Sequence, residues 1–401
     1  MMKAYTVKNN ISSDKTIVLD DMILTKELPT AAGSKMLEGY VSLFEAEALT
    51  RATEAGYVLG GKADVGEFSI DLLGETSKNG ALTADGKLQN AAAEIVKSGD
   101  AVAALCLDVN GSVRRAAAQN GLISLKPTYG TVSRFGIIPV VCSGETVSIL
   151  AKKTADCRDL LDAIVGHDDK DGTSHSDVVC AALKKDAVHA PLRRIAVISS
   201  MEKDINTDVT AKLDSAIAEL KENGVEVVIA ESSVLPLSRS AWNVLMCAEL
   251  CNNVSRYDGV KYGYRAQNFS GIDELYTNSR TEAFGELLKT AIIFGSETLS
   301  TENYMKVYDK CQRIRRVIVE EFSKLFTEFD AVMIPACSTL AYTEDQIAEN
   351  KYIAFEENFY TAPASIAGLP ATVADGVQLI GKAFTEHTLL DAAKMIAKED
   401  R

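Results

Sequence analysis

The chain reads as an α/β protein, with a mixed β-sheet sandwiched between helices in a single large domain. Three observations predict this. Short β-branched runs alternate with longer helical patterns, the arrangement that packs helices onto a largely parallel sheet. The 401 residues are 47% hydrophobic and 24% charged, enough apolar content for a large core. No internal repeat, low-complexity tract or Pro/Gly-rich linker divides residues 1–401, so they are taken as one domain with excursions.

Strands are expected at 16–19 (TIVL), 57–60 (YVLG), 101–107 (AVAALCL), 194–199 (RIAVIS), 225–230 (VEVVIA), 331–336 (AVMIPA) and 377–381 (VQLIG). Each is a short apolar run rich in residues that suit a pleated surface. Helices are expected at 42–55, 87–98, 154–165, 207–223, 239–256, 302–328 and 386–398. The fourth shows the logic: Thr207 can cap the start, Val209, Leu213, Ile217 and Leu220 share one face, and Gly224 ends it. The helix expected at 87–98 starts at Asp85/Gly86. The polar stretch GHDDKDGTSHSD (166–177) is expected to be a surface loop.

The formal net charge is −14, which argues against broad nucleic-acid or anionic-membrane binding. The arginines of the 302–328 pattern, Arg313, Arg315 and Arg316, fit a solvated helix face better than an RNA patch. No apolar run approaches the length of a membrane span, and the start MMKAYTVKNN lacks the apolar segment of a secretory signal, so a cytoplasmic protein is expected. Eight cysteines form no CxxC pair, and the four histidines show no metal-ligand spacing. Neither a metal nor another cofactor is expected; buried reduced thiols are.

One stretch is set up for chemistry: LDVNGSVRRAAAQNGLISLKPTYG, residues 107–130. Ser112 follows a glycine at the end of an apolar run, where a nucleophile would be exposed. The same residue also fits a plain turn serine. Arg114 and Arg115 fit either buried ion pairs or substrate contacts.

These residues carry a family likeness. NGSVRRAAAQNGLISLKPTYGTVSRFGIIP resembles the core signature of the amidase-signature family, here at about 100–136. Within it, LKPTYGTVSRFG (125–136), LLDAIVGHDDKD (160–171), SRYDGVKYGYRA (255–266), SRTEAFGE (279–286), YTAPASIAGLPA (360–371) and LIGKAF (379–384) look like the A-type glutaminase subunits of the tRNA-dependent amidotransferases. The likeness runs from about residue 14 to the end and implies the same fold as the element pattern. It also implies acyl transfer by a serine nucleophile, a bridging serine in a cis peptide and a neutral lysine as base, with turn N–H groups holding the oxyanion.

Carried over residue by residue, the likeness is mixed. The nucleophile position is Ser112, and the oxyanion turn becomes Val109, Asn110 and Gly111, with Asn110 where the family has a glycine open to positive φ. The lysine position holds Asp20, beside Asp21. The cis-serine position holds Leu88, and residues 78–97 contain no serine. Arg114, Tyr257 and Arg280 match motif positions near substrate or subunit contacts. An acid common before YTAP is Asn358, and the arginine pair expected after FGE is Thr290-Ala291. Two functions stay open. One is a non-catalytic homologue that binds B-type or C-type subunits, or itself, with a glutamine-like molecule as a conceivable ligand. The other is an amidase with rebuilt machinery, using Asp20 or Glu145 near Ser112.

Overall fold

The computed structural model describes residues 4–9, 11, 13–184 and 189–399. In chain order the regular elements begin with β1 (Tyr5–Lys8), β2 (Thr16–Asp20), α1 (Glu47–Glu54), β3 (Val58–Ala63), β4 (Thr83–Ala84), β5 (Lys87–Leu88) and α2 (Ala91–Ser98). The signature region follows as β6 (Ala103–Asp108), α3 (Ser112–Asn120), β7 (Ile123–Lys126), β8 (Thr146–Ala151), α4 (Thr154–Ile164) and α5 (Asp177–Cys180). Next come β9 (Arg194–Ile198), α6 (Thr207–Glu222), β10 (Glu226–Ala230), α7 (Ser238–Val254), α8 (Ile272–Ala283), α9 (Glu286–Thr298) and α10 (Asp309–Leu325). The chain closes with β11 (Ala331–Pro335), α11 (Glu344–Glu349), α12 (Ile353–Ala367), β12 (Ala371–Ala374), β13 (Val377–Gly381) and α13 (Glu386–Ile396).

Eleven strands form one mixed sheet in the order β1-β3-β2-β6-β8-β7-β12-β13-β11-β9-β10, and β4 and β5 form a separate hairpin. β2 lies parallel to both β3 and β6, and β9 parallel to both β10 and β11; the remaining pairs are antiparallel. This is the predicted α/β class. The strand period of two sorts the central side chains between two cores. Ile17 and Leu19 of β2 and Leu105 of β6 enter one, while Val18, Ala104 and Cys106 enter the other. β2 and β13 are buried along their whole length, and no residue of the edge strand β10 is fully buried.

The expected strands all form, six of them at boundaries shifted by one to three residues. The helix at 207–222 is capped by Asn206, not Thr207: its side chain accepts a hydrogen bond from Val209 N–H at 2.9 Å. The expected helix at 42–55 begins only at Glu47. The 302–328 pattern splits into a π-helical turn at 304–308 and α10. There Arg313 and Arg316 pair with Asp309 and Glu320 within the helix, while Arg315 turns to Ser143. The 166–177 stretch is more than a surface loop. Asp168 and Asp171 are buried and accept from Ser133 Oγ and Arg134 N–H, pinning the turn after β7. Among the described residues no helix is long and apolar enough to cross a membrane.

Candidate active site

The site begins at the C-terminal end of β6. Gly111 has φ +79°, and a Cβ there would sit 2.4 Å from Thr361, so only glycine fits the turn. Asn110 takes no positive φ: the left-handed conformation expected at that position belongs to Gly111 instead. Asn110 turns its amide away, donating to Ile70 O at 2.7 Å, and its side-chain oxygen lies against the Asn358 amide. Val109 is fully buried. Ser112 then opens α3 at 8% exposure, and among the described residues its hydroxyl makes no hydrogen bond.

Asp20 ends β2 beside it. The register that pairs Leu19 with Leu105 sets Asp20, Ala63 and Cys106 on one face of the sheet. Asp20 and Ser112 line the same small cavity, with Asp64, Ser69, Asp71 and Cys106. About 20 Å³ of it is open to the centre of a water molecule, room for about one water. Both Asp20 oxygens are tied to the backbone, Oδ2 accepting from Leu107 N–H at 2.6 Å and Oδ1 from Met22 N–H at 3.1 Å. Burial pushes its carboxyl up to about 7, against the pull of those donors.

Lys62 on β3 is fully buried, but it pairs in register with Leu19 and so lies on the opposite face from Asp20. It donates to Thr30 Oγ1 and stands 3.9 Å from Asp21. Burial lowers it to about 8. Lys126 is also sealed in and pushed down to about 7 by burial, and it donates to Leu369 O at 3.1 Å. Neither lysine lines the Ser112 cavity.

Leu88 lies elsewhere. The expected helix at 87–98 begins only at Ala91, capped by Asn90, whose side chain accepts from Ala93 N–H at 3.1 Å. Before it, Asp85 and Gly86 both take positive φ and turn the hairpin of β4 and β5. Asp-Gly between short runs is a strong hairpin signal, and it outweighs the helical pattern. Leu88 sits on β5, donates its N–H to Tyr342 O at 2.8 Å, and is buried outside the Ser112 cavity; Asn90 and Ala92 reach that cavity instead. The described residues contain no cis peptide bond.

Other positions are bound into the protein. Arg114 is fully buried and uses all five donors: two on Asp108 at 2.9 Å each, the rest on Thr361 O, Gln378 Oε1 and Ser365 Oγ. Burial works against the Asp108 carboxylate, yet Arg114 holds it below its ordinary value. Arg115, equally buried, donates to Leu72 O, Asp71 O and Thr361 Oγ1, so it straps the 64–76 loop to α3. Tyr257 is buried against Phe68, and Arg280 donates to the carbonyls of Val254 and Tyr257. Asn358 is buried, its amide 2.6 Å from the Asn243 amide and in contact with Asn110. Glu145 pairs with Arg134 at 3.0 Å and accepts from Val140 and Val141 N–H, away from the Ser112 cavity.

The 64–76 loop was not read from the sequence as part of the site. Asp64, Ser69 and Asp71 form its wall, and Phe68 and Ser69 are consecutive non-glycine residues at φ +54° and +53°. Such strain persists only where surroundings enforce it. Here Glu75 accepts from the N–H groups of Leu72, Leu73 and Gly74, and Asp71 from Thr76. The EFSIDLLGET run carries little periodicity, so nothing in it marks a wall. Among the described residues no group of three or more His, Cys, Asp or Glu is arranged to hold a metal ion.

Comparison with known proteins agrees with the signature. The profile of the family described as Amidase matches residues 91–390. The A subunit of glutamyl-tRNA(Gln) amidotransferase from Streptococcus pneumoniae (strain 70585) is 32% identical over 96% of this chain and 82% of its own length. Its counterpart from Maridesulfovibrio salexigens is 31% identical over 95% and 83%. The crystal structure of the Thermotoga maritima counterpart superposes with a TM-score of 0.80 at 26% identity, covering 98% of this chain and 87% of that one.

Proposed function

We infer the function from one premise: the chain belongs to the amidase family, whose profile spans residues 91–390. We propose that it is a non-catalytic homologue of the A-type amidotransferase subunits. In this reading it serves in the cytoplasm as a scaffold or regulatory partner for B-type and C-type subunits, or for a second copy of itself. One observation carries the reading. Among the described residues the Ser112 hydroxyl has no hydrogen-bonded base, and the group at the family's lysine position, Asp20, spends both oxygens on backbone N–H groups. A serine without a base is a poor nucleophile at neutral pH. Losing one key triad member costs about 10⁴–10⁶ in turnover. The space beside Ser112 holds about one water, which leaves no seat for an amino acid.

The buried lysines support the same reading. A lysine can serve as base only when neutral and within reach. Lys62 lies across the sheet, and Lys126 feels the Arg114–Asp108 pair and donates to a carbonyl. The expected result is no ammonia release from glutamine above background by the purified chain, and poor labelling of Ser112 by serine-directed covalent probes. Introducing Asp20→Lys with Leu88→Ser should not start the reaction, because position 88 lies outside the Ser112 cavity. Glutaminase turnover abolished by Ser112→Ala would overturn the proposal. Co-purification with B-type and C-type subunits tests the scaffold part.

A further inference from the structure

Asp20 and Asp21 are neighbours in the chain, and they line two different cavities. Asp20 belongs to the small space beside Ser112. Asp21 belongs to the wall of a much larger one, about 400 Å³, between β1, the segment after β2 and the 78–82 segment before the β4–β5 hairpin. A cavity of this size falls within the range of small-molecule sites. Its wall includes Tyr5, Pro29 and Leu82 as apolar surface, with Glu38 and Lys78 paired at 3.0 Å.

Asp21 is 1% exposed. Its Oδ2 accepts from Ala31 N–H at 3.0 Å, but Oδ1 accepts no hydrogen bond from any described residue. The nearest cation, Lys62, stays 3.9 Å from Oδ1 because its ammonium donates to Thr30 Oγ1 instead. The charges do not balance. Lys78 serves Glu38 and also faces Asp64, which is met besides by the neutral donors Ser77 and Asn79, while Asp21 shares the single ammonium of Lys62 with Asp20 and Glu45. A buried carboxylate oxygen without a donor costs free energy that a ligand donor can recover.

We propose that this cavity binds a small primary amine as its ammonium ion, with Asp21 Oδ1 receiving the N–H donors and Tyr5, Pro29 and Leu82 covering a short alkyl body. Burial places the Asp21 carboxyl at about 6, so it is ionised at pH 7.5 and complementary to an ammonium group. The inference does not depend on whether Ser112 is active.

The test is calorimetry on the full chain at pH 7.5 and fixed ionic strength, with n-propylammonium chloride as probe and sodium propionate as the control of similar length and opposite charge. Saturable binding of the amine, and none of the acid, is expected. Asp21→Asn keeps the shape and should weaken the amine about tenfold or more. Leu82→Trp fills the cavity from a half-exposed position, leaves Asp21 in place and should also abolish binding; it decides the matter if Asp21→Asn does not fold. No saturable binding of n-propylammonium up to about 50 mM, equal binding of propionate, or unchanged affinity in Leu82→Trp would each refute the site.

Discussion

Two regions meet at Ser112, and they are built differently. From Asp108 to Thr128, a turn, a helix and a strand are locked by buried groups: Arg114 alone bonds to Asp108, Thr361, Ser365 and Gln378. From Asp64 to Leu88, the chain instead runs through left-handed Phe68 and Ser69, a carboxylate-wrapped loop and a two-residue hairpin. The first region supports the whole fold, because its partners lie about 250 residues away in α12 and β13. The second makes its distant contacts one hydrogen bond at a time, such as Leu88 N–H to Tyr342 O and Gly285 N–H to Glu67 Oε2, and has room to change. A fold that is held from one side of a pocket tolerates reconstruction on the other.

The strongest way to break the contrast is to attack the locked side. Arg114→Met strands Asp108 as a buried, unpaired carboxylate and should cost about 3–5 kcal/mol of stability, read from denaturant midpoints at constant slope. Gly111→Ala should cost about 2 kcal/mol, since a Cβ would meet Thr361 at 2.4 Å at a φ that disfavours side chains. A loss as small as a surface change in either case would mean the turn is not what holds the pocket.

The next test sharpens the rebuilt side. Asp20 is raised from the ordinary carboxyl range to about 7, so the folded state binds a proton that the unfolded state has released. Stability from this group is therefore complete below about pH 4 and is lost as pH rises through about 7. Asp21 and Glu67, raised to about 6 and about 7 by burial, slope the same way. Asp20→Asn should flatten the fall between pH 4 and 7 by about one proton while the other two keep part of it. An unchanged slope would show that Asp20 stays ionised in the fold. Smaller again, Asn206→Ala removes the cap of α6 and should cost about 1 kcal/mol. Arg316→Ala, on an exposed i,i+4 pair, should change stability by less than about 0.5 kcal/mol.

The sequence carried the fold best where a strand is buried on both faces. β11 and residues 195–198 of β9 stand out as unbroken apolar runs and appear within one residue of their expected places. β7, β8 and β12 were hidden because Ser124, Lys126, Thr146, Ser148 and Thr372 interrupt the apolar pattern, and these polar groups are buried in the structure. α8 and α9 were missed because their exposed faces dominate the count. At the site, Ser112 and Asp20 were legible through the motifs that flank them. Leu88 was not. Its backbone is fixed by Tyr342, a partner 254 residues away, and no local spacing reports a contact of that kind.

Cys106 lies in the wall of the Ser112 cavity, 3% exposed, its thiol pushed far above the ordinary range by burial. A thiol reagent cannot reach it while the sheet and the 64–76 loop stay closed. Its alkylation rate is therefore a clock for how often this pocket breathes, independent of any chemistry at the serine. When opening is fast relative to labelling, the ratio of that rate to the rate of a free thiol gives the fraction of time the pocket stands open.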